Sequence, residues 1–249
     1  LAPAWHWMAW LTRVGTQVIS DLNKPLPHSA ALSCGPDSKA AGSKENKWVD
    51  INPYSADQAA LVAMLKERGI LSADNPTDPA KNIFRSETGE ITIEAPRDVM
   101  LLNTAKTAGG YAPMGQTIET TVGVKITMQE ADATAWVSSL DEQPIANSKR
   151  LLVTHLTDLQ NSDIKYAEQA RQTLLDWGKL PHLVRAGKAQ IQIKLADADK
   201  YKVWALATSG KRLGEVKSSA AGGTIEFTAD VAGGGADGGA RMLYEVARQ

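Results

Sequence analysis

In residues 189–195, AQIQIKL, Ala189, Ile191, Ile193 and Leu195 are apolar while Gln190, Gln192 and Lys194 between them are polar. A backbone with a two-residue side-chain period sends these two sets to opposite faces, so the stretch reads as a strand with one face buried and one in water. A slip of one residue would invert both faces, and such a strand therefore also fixes its own register. The same period recurs from residue 83 onward. Ile83 to Arg85 and Ile91 to Ile93 flank the turn signal Glu87-Thr88-Gly89 and predict a hairpin, and Val99 to Leu102 adds a short run. Ile118 to Met128 alternates around Gly123, which reads as a bulge or bend. Ala133 to Val137, Leu151 to Thr154, Tyr201 to Ala207, Thr224 to Ala229 and Met242 to Val246 continue the series. About ten short strands at this spacing, joined by turns such as Ser209-Gly210-Lys211, predict a mainly β fold: an antiparallel β-sandwich or jelly roll. Residues 162 to 180 interrupt the pattern, and Tyr166 to Asp176 reads as a helix.

The N-terminal third has a different period. Trp7, Leu11, Val14, Val18 and Leu22 recur at steps of three and four, predicting a helix over residues 5 to 22. Trp5 faces away from that stripe and Trp10 sits at its margin, so these indoles serve core packing, or a sugar-stacking platform, or a surface met by further sequence. Residues 23 to 54 show no apolar period, carry several prolines and glycines, and read as a long loop. Ser55 with Gln58 forms a capping box, a helix follows through Leu65, and Gly69 ends it. The expected division is therefore a helical segment with its loop over 1–80 and a β-sandwich over 81–249. The opening LAPAWHWMAW has neither an initiator methionine nor the basic start of a signal peptide, as expected for a chain whose leader is removed or that is a piece of a longer one.

The 249 residues can bury a sizeable core, and 27 basic against 28 acidic side chains leave a net charge of −1. That balance gives no electrostatic footprint for nucleic acid, and no apolar run approaches the roughly 18 residues of a membrane-spanning helix. Cys34 is the single cysteine, which excludes an intrachain disulfide and a multi-cysteine metal site and leaves a lone thiol in a Gly/Ser/Lys-rich loop. No metal or cofactor is expected. The connector GGGADGG at 233–239 lacks the Gly-Lys-Ser/Thr and the following helix that a phosphate loop needs.

RLLVTHLTDLQNS, residues 150 to 162, is the densest polar cluster behind an apolar run. His155 and Asp158 could form an acid–base pair, or could shape a loop where the strand Leu151 to Thr154 ends, with Asp158 and Asn161 bonding local amides. Ser138 and Ser139 lack the elbow of a serine hydrolase. Glycoside hydrolysis needs two carboxyl groups at a set separation. Glu119, Glu130, Glu142, Glu226 and Glu245 all fall on expected strands or turns, and no two of them stand out as a pair.

Several segments taken in order carry a resemblance: FRSETGEITIEAPRDVMLLNTAKTAGGYA, KRLLVTHLTDLQNSDIKYAE, WGKLPHLVRAGKAQIQI, YKVWALATSGKRLGEV and RMLYEV. Together they are similar to the C-terminal β-sandwich region of large bacterial glycoside hydrolases of the (β/α)8-barrel clan, over residues 81 to 249 and more loosely over 1 to 80. The resemblance implies a secreted or periplasmic polysaccharide-acting enzyme in which this region braces the catalytic barrel. The catalytic glutamates of such enzymes lie at barrel strand ends, upstream of anything matched here, so no catalytic residue transfers to this numbering. Where the family pattern after the strand at 151–154 reads Ala-x-x-x-x-Asn-Thr-Gly-Met, Asn161 fits and His155 departs. Two other readings stay open. One is a self-standing carbohydrate-binding module that stacks sugars on Trp5, Tyr111, Trp136 or Trp204, and the other a hydrolase working through His155 and Asp158.

Overall fold

In the computed structural model of the chain, residues 62, 63, 66, 67, 72–86, 88–234 and 239–249 are described. The helix expected over 5–22, the loop over 23–54, Trp5, Cys34 and the caps at Ser55 and Gly69 lie outside them. Val62, Ala63, Lys66 and Glu67 are helical. The described residues fall into two units, one ending at Arg97 and one running from Asp98 to Gln249.

The first unit holds the expected hairpin, β1 (Ile83–Arg85) paired antiparallel with β2 (Ile91–Glu94). Asp78 begins it by accepting from the backbone amides of Ala80 and Lys81. At the turn Gly89 takes a positive φ of 75°, and its carbonyl accepts from Arg85 Nε at 3.0 Å.

From Asp98 onward the chain builds a two-sheet antiparallel sandwich. Seven of its strands form the larger sheet, in the order β3 (Val99–Asn103), β4 (Thr107–Ala112), β7 (Ala133–Ser139), β8 (Arg150–Leu156), β18 (Leu243–Arg248), β14 (Tyr201–Leu206) and β15 (Arg212–Val216). The second sheet has five, in the order β16 (Ser218–Ala221), β17 (Thr224–Asp230), β13 (Lys188–Lys194), β6 (Val124–Glu130) and β5 (Thr117–Glu119). Alternation decides what each strand gives to the interior. From β13, Ala189, Ile191 and Ile193 join Ile126 and Met128 of β6 and Ile225 and Phe227 of β17; they meet Val137, Val153, Val203 and Val246 of the larger sheet in one buried cluster. Each fully buried Ile, Val or Phe contributes roughly 1.5–3 kcal/mol, so this interior is the main stabilising element of the unit. Phe227 and Tyr244 meet across the two sheets with ring centroids 5.7 Å apart.

Two expectations need correction here. Ile118 to Met128 is not one strand bulged at Gly123. It is the hairpin β5–β6, paired Thr117↔Thr127 and Ile118↔Ile126, with Gly123 in its turn at φ +85°. The side-chain period survives because a hairpin of this register returns Ile118 and Ile126 to the same face.

The helix expected over Tyr166 to Asp176 is likewise absent. Residues 159–184 form a two-stranded arm instead, in which β9 (Leu159–Ser162) pairs with β12 (Lys179–Val184) and, beyond it, β10 (Lys165–Tyr166) pairs with β11 (Leu174–Asp176). An eleven-residue helix would hold its ends about 16 Å apart. The ladder holds Lys165 and Asp176 at strand spacing, about 5 Å, so the segment must return as a hairpin whatever its helix propensity.

The larger sheet buries side chains on the face away from the core as well. Leu102, Trp136 and Thr154 fall in register across β3, β4, β7 and β8 on that second face, and Leu206 continues the row on β14. All four are buried, Trp136 to 1 % exposure.

Candidate functional site

His155 does not sit where a strand becomes a loop. It is inside β8, opposite Ala135 of β7 and on the core face shared with Leu151 and Val153. Its side chain is 0 % exposed, and neither ring nitrogen makes a well-formed hydrogen bond, the Ala229 carbonyl offering only a distorted one. Burial holds its pKa down at about 4; the carbonyl of Ala229 and the charge of Asp230 pull the other way and are outweighed. The ring is therefore neutral at physiological pH and sealed from solvent.

Asp158 is not brought to it. Its carboxylate pairs with Arg171 at 2.8 Å and accepts from Gln160 at 3.2 Å. Partial burial raises its pKa, but the Arg171 bond and charge together with Gln160 leave it below the usual aspartate value. Asn161, the residue that fits the family pattern, uses its amide to pin the Trp177 carbonyl at 2.8 Å and its oxygen to bond His182 Nδ1 at 2.7 Å. The polar half of RLLVTHLTDLQNS thus builds the base of the arm.

The candidate carboxylates are each engaged separately. Glu130 pairs with Lys188, Glu142 with Lys106 and Glu119 with Lys125, while Glu226 accepts from the amides of Gln190 and Gln192. Glu245 is the buried one. It lies on the second face of the larger sheet and is gripped by Arg150 at one oxygen and Arg212 at the other. Burial pushes its pKa up, yet the two guanidinium groups outweigh this and keep it below the ordinary glutamate value. A catalytic acid needs a raised pKa and a base needs an open approach, and Glu245 has neither. Among the described residues, no group of three or more His, Cys, Asp and Glu side chains could hold a metal ion.

Of the aromatic candidates, Trp136 has no face to offer a sugar because its ring is enclosed. Trp204 is half-buried on β14, and the Arg212 guanidinium lies over its ring at 4.9 Å from the centroid. Its Nε1 is buried and has no hydrogen-bond partner. Tyr111 is half-buried on β4, its hydroxyl donating to Asp98 at 3.5 Å, and burial followed by the charges of Asp98 and Asp132 raises its pKa. Among the described residues the indole most open to solvent is Trp177 on the arm, which was not among the sequence candidates; it is 73 % exposed, in a stretch that also exposes Leu175, Leu180 and Leu183. Gly178 fixes the chain behind it. With φ +68° and room for no side chain (a Cβ would stand 2.2 Å from the Ser162 carbonyl oxygen), it admits only glycine. The signal in the sequence was the Trp-Gly pair, overridden by the helix-forming run before it.

The fold and these surfaces define a two-sheet antiparallel β-sandwich carrying a projecting β-ribbon. Compared with known proteins, the chain matches no family model, no curated protein and no solved structure.

Proposed function

We propose that this chain serves as the accessory β-sandwich portion of a secreted or periplasmic polysaccharide-acting glycoside hydrolase, bracing the catalytic barrel and contributing carbohydrate contact. The observation that carries the reading is the commitment of the titratable candidates to the fold: Glu130, Glu142 and Glu119 are each held by a lysine, Glu226 by two amides and Glu245 by two arginines, and His155 is sealed in the core, as fits a supporting rather than a catalytic role. The test is direct. The purified chain, offered a panel of polysaccharides, is expected to release no sugar, and robust turnover by pure protein would refute the proposal.

A self-standing carbohydrate-binding module is the second reading, and the exposure of Trp177 favours it. Trp177→Ala is expected to leave the unfolding free energy within about 0.5 kcal/mol, since the ring is in water. On this reading it abolishes retardation in native gels cast with the bound polysaccharide; unaltered retardation would remove Trp177 from consideration.

A further inference from the structure

A cavity of about 480 Å³ opens at one end of the sandwich, within the roughly 300–1,000 Å³ that small-ligand sites occupy. Its walls come from five separate segments, and backbone hydrogen bonds stitch them together. Ile145 N donates to the Ala105 carbonyl at 2.9 Å, Ala196 N to Ala146 at 2.9 Å, Lys194 N to Gly123 at 2.8 Å and Leu195 N to Gly223 at 2.9 Å. The cavity is therefore preformed and does not have to be ordered by whatever enters it. Its accessible surface is predominantly carbon, supplied by Val122, Pro144 and Ala146 among others, with the buried Ile145 and Leu195 beneath them.

Among the described residues that line it, Lys194 is the one charged side chain; it is exposed and pairs with no carboxylate among the described residues. Gly123 makes its position possible, because a Cβ there would stand 2.7 Å from Lys194 Cβ. Asn147 and Thr121 complete the polar part of the lining. Thr121 Oγ1 already accepts from Asn103 Nδ2 at 2.7 Å, which leaves its hydroxyl proton free to donate elsewhere. An apolar wall with one uncompensated cation and two neutral hydrogen-bonding groups complements a ring that has a carbon-rich face, hydroxyls and one carboxylate.

We propose that this cavity binds a uronic acid unit of an acidic polysaccharide, its ring face on Pro144 and Val122, its carboxylate at Lys194 and its hydroxyls at Asn147 and Thr121. The proposal rests on the carbohydrate contact inferred above and names the sugar class. Isothermal titration of the whole chain with trigalacturonate and with neutral maltotriose tests it. Trigalacturonate is expected to bind and maltotriose not. Lys194→Met and Asn147→Asp are each expected to weaken trigalacturonate at least tenfold without changing the melting temperature, both side chains being exposed. Equal binding of the two trisaccharides, or trigalacturonate binding unchanged in Lys194→Met, overturns the uronate assignment and leaves carbohydrate contact standing. Binding of neither overturns the assignment as well, and carbohydrate contact then stands or falls with the gel retardation of the Trp177 test.

Discussion

His155→Leu is expected to make the protein more stable, by roughly 1–3 kcal/mol at neutral pH, although it deletes the residue that most resembles a catalytic group. The native ring leaves two polar nitrogens buried without a well-formed hydrogen bond, the Ala229 carbonyl being poorly placed, and each such group costs on the order of 1 kcal/mol or more relative to its hydration in the unfolded chain. Leucine has a similar volume and matches the apolar face of Leu151 and Val153. The pH dependence gives an independent check. The folded pKa of about 4 lies below the ordinary value of 6.5, so the folded state binds fewer protons than the unfolded one between these limits. Stability is complete above about pH 6.5 and falls as the pH drops toward 4, by about 3 kcal/mol over that window. His155→Leu removes this slope. Urea unfolding of both proteins at pH 7 and pH 4.5 measures it, and a variant less stable at pH 7, or an unaltered slope, would show that the ring has partners worth more than its burial costs.

Gly110→Ala is expected to do the opposite, costing about 3 kcal/mol and lowering the melting temperature by about 10 °C. A Cβ at Gly110 would stand 1.9 Å from the Met100 carbonyl oxygen, and one at neighbouring Gly109 would stand 2.1 Å from that of Ala135. Both obstacles are backbone atoms of the adjacent strands β3 and β7, so no side chain can swing aside. The ladder itself must part, where Leu101 pairs with Gly110 and Gly109 with Trp136. Gly210→Ala, a control with open space around the position and the strain of a positive φ alone, is expected to cost only about 1 kcal/mol. Calorimetry that ranked the two substitutions equally would show that the close approach at Gly110 is not what holds β3 to β4.

The central strands of the smaller sheet were legible because they wet one face. Ala189 to Leu195 states its own register, and the structure pairs it residue for residue with β6 and β17. β15 and β16 were not legible. As short edge strands with mostly exposed side chains they have no alternation to display, and only their neighbours make them strands. The arm was misread for a related reason: the run AEQARQTLLD has the helix propensity, and the pairing of Lys165 with Asp176 overrides it.

The candidate site divides in the same way. Polar residue types at His155, Asp158 and the glutamates are visible in the chain, but which atoms meet is not. His155 and Asp158 stand three residues apart in sequence, and the strand sends one into the core while the other turns to Arg171 at the base of the arm. What the sequence determined by itself is the local period: which residues alternate, where glycine must turn, and hence a mainly β chain. The tertiary structure alone decided that the larger sheet is enclosed on both faces, that Trp136 is sealed while Trp177 is bare, and that five distant segments wall one cavity. Period and turn chemistry act between neighbours a few residues apart, whereas burial and pairing depend on strands that meet across a hundred residues, and no local pattern encodes that meeting.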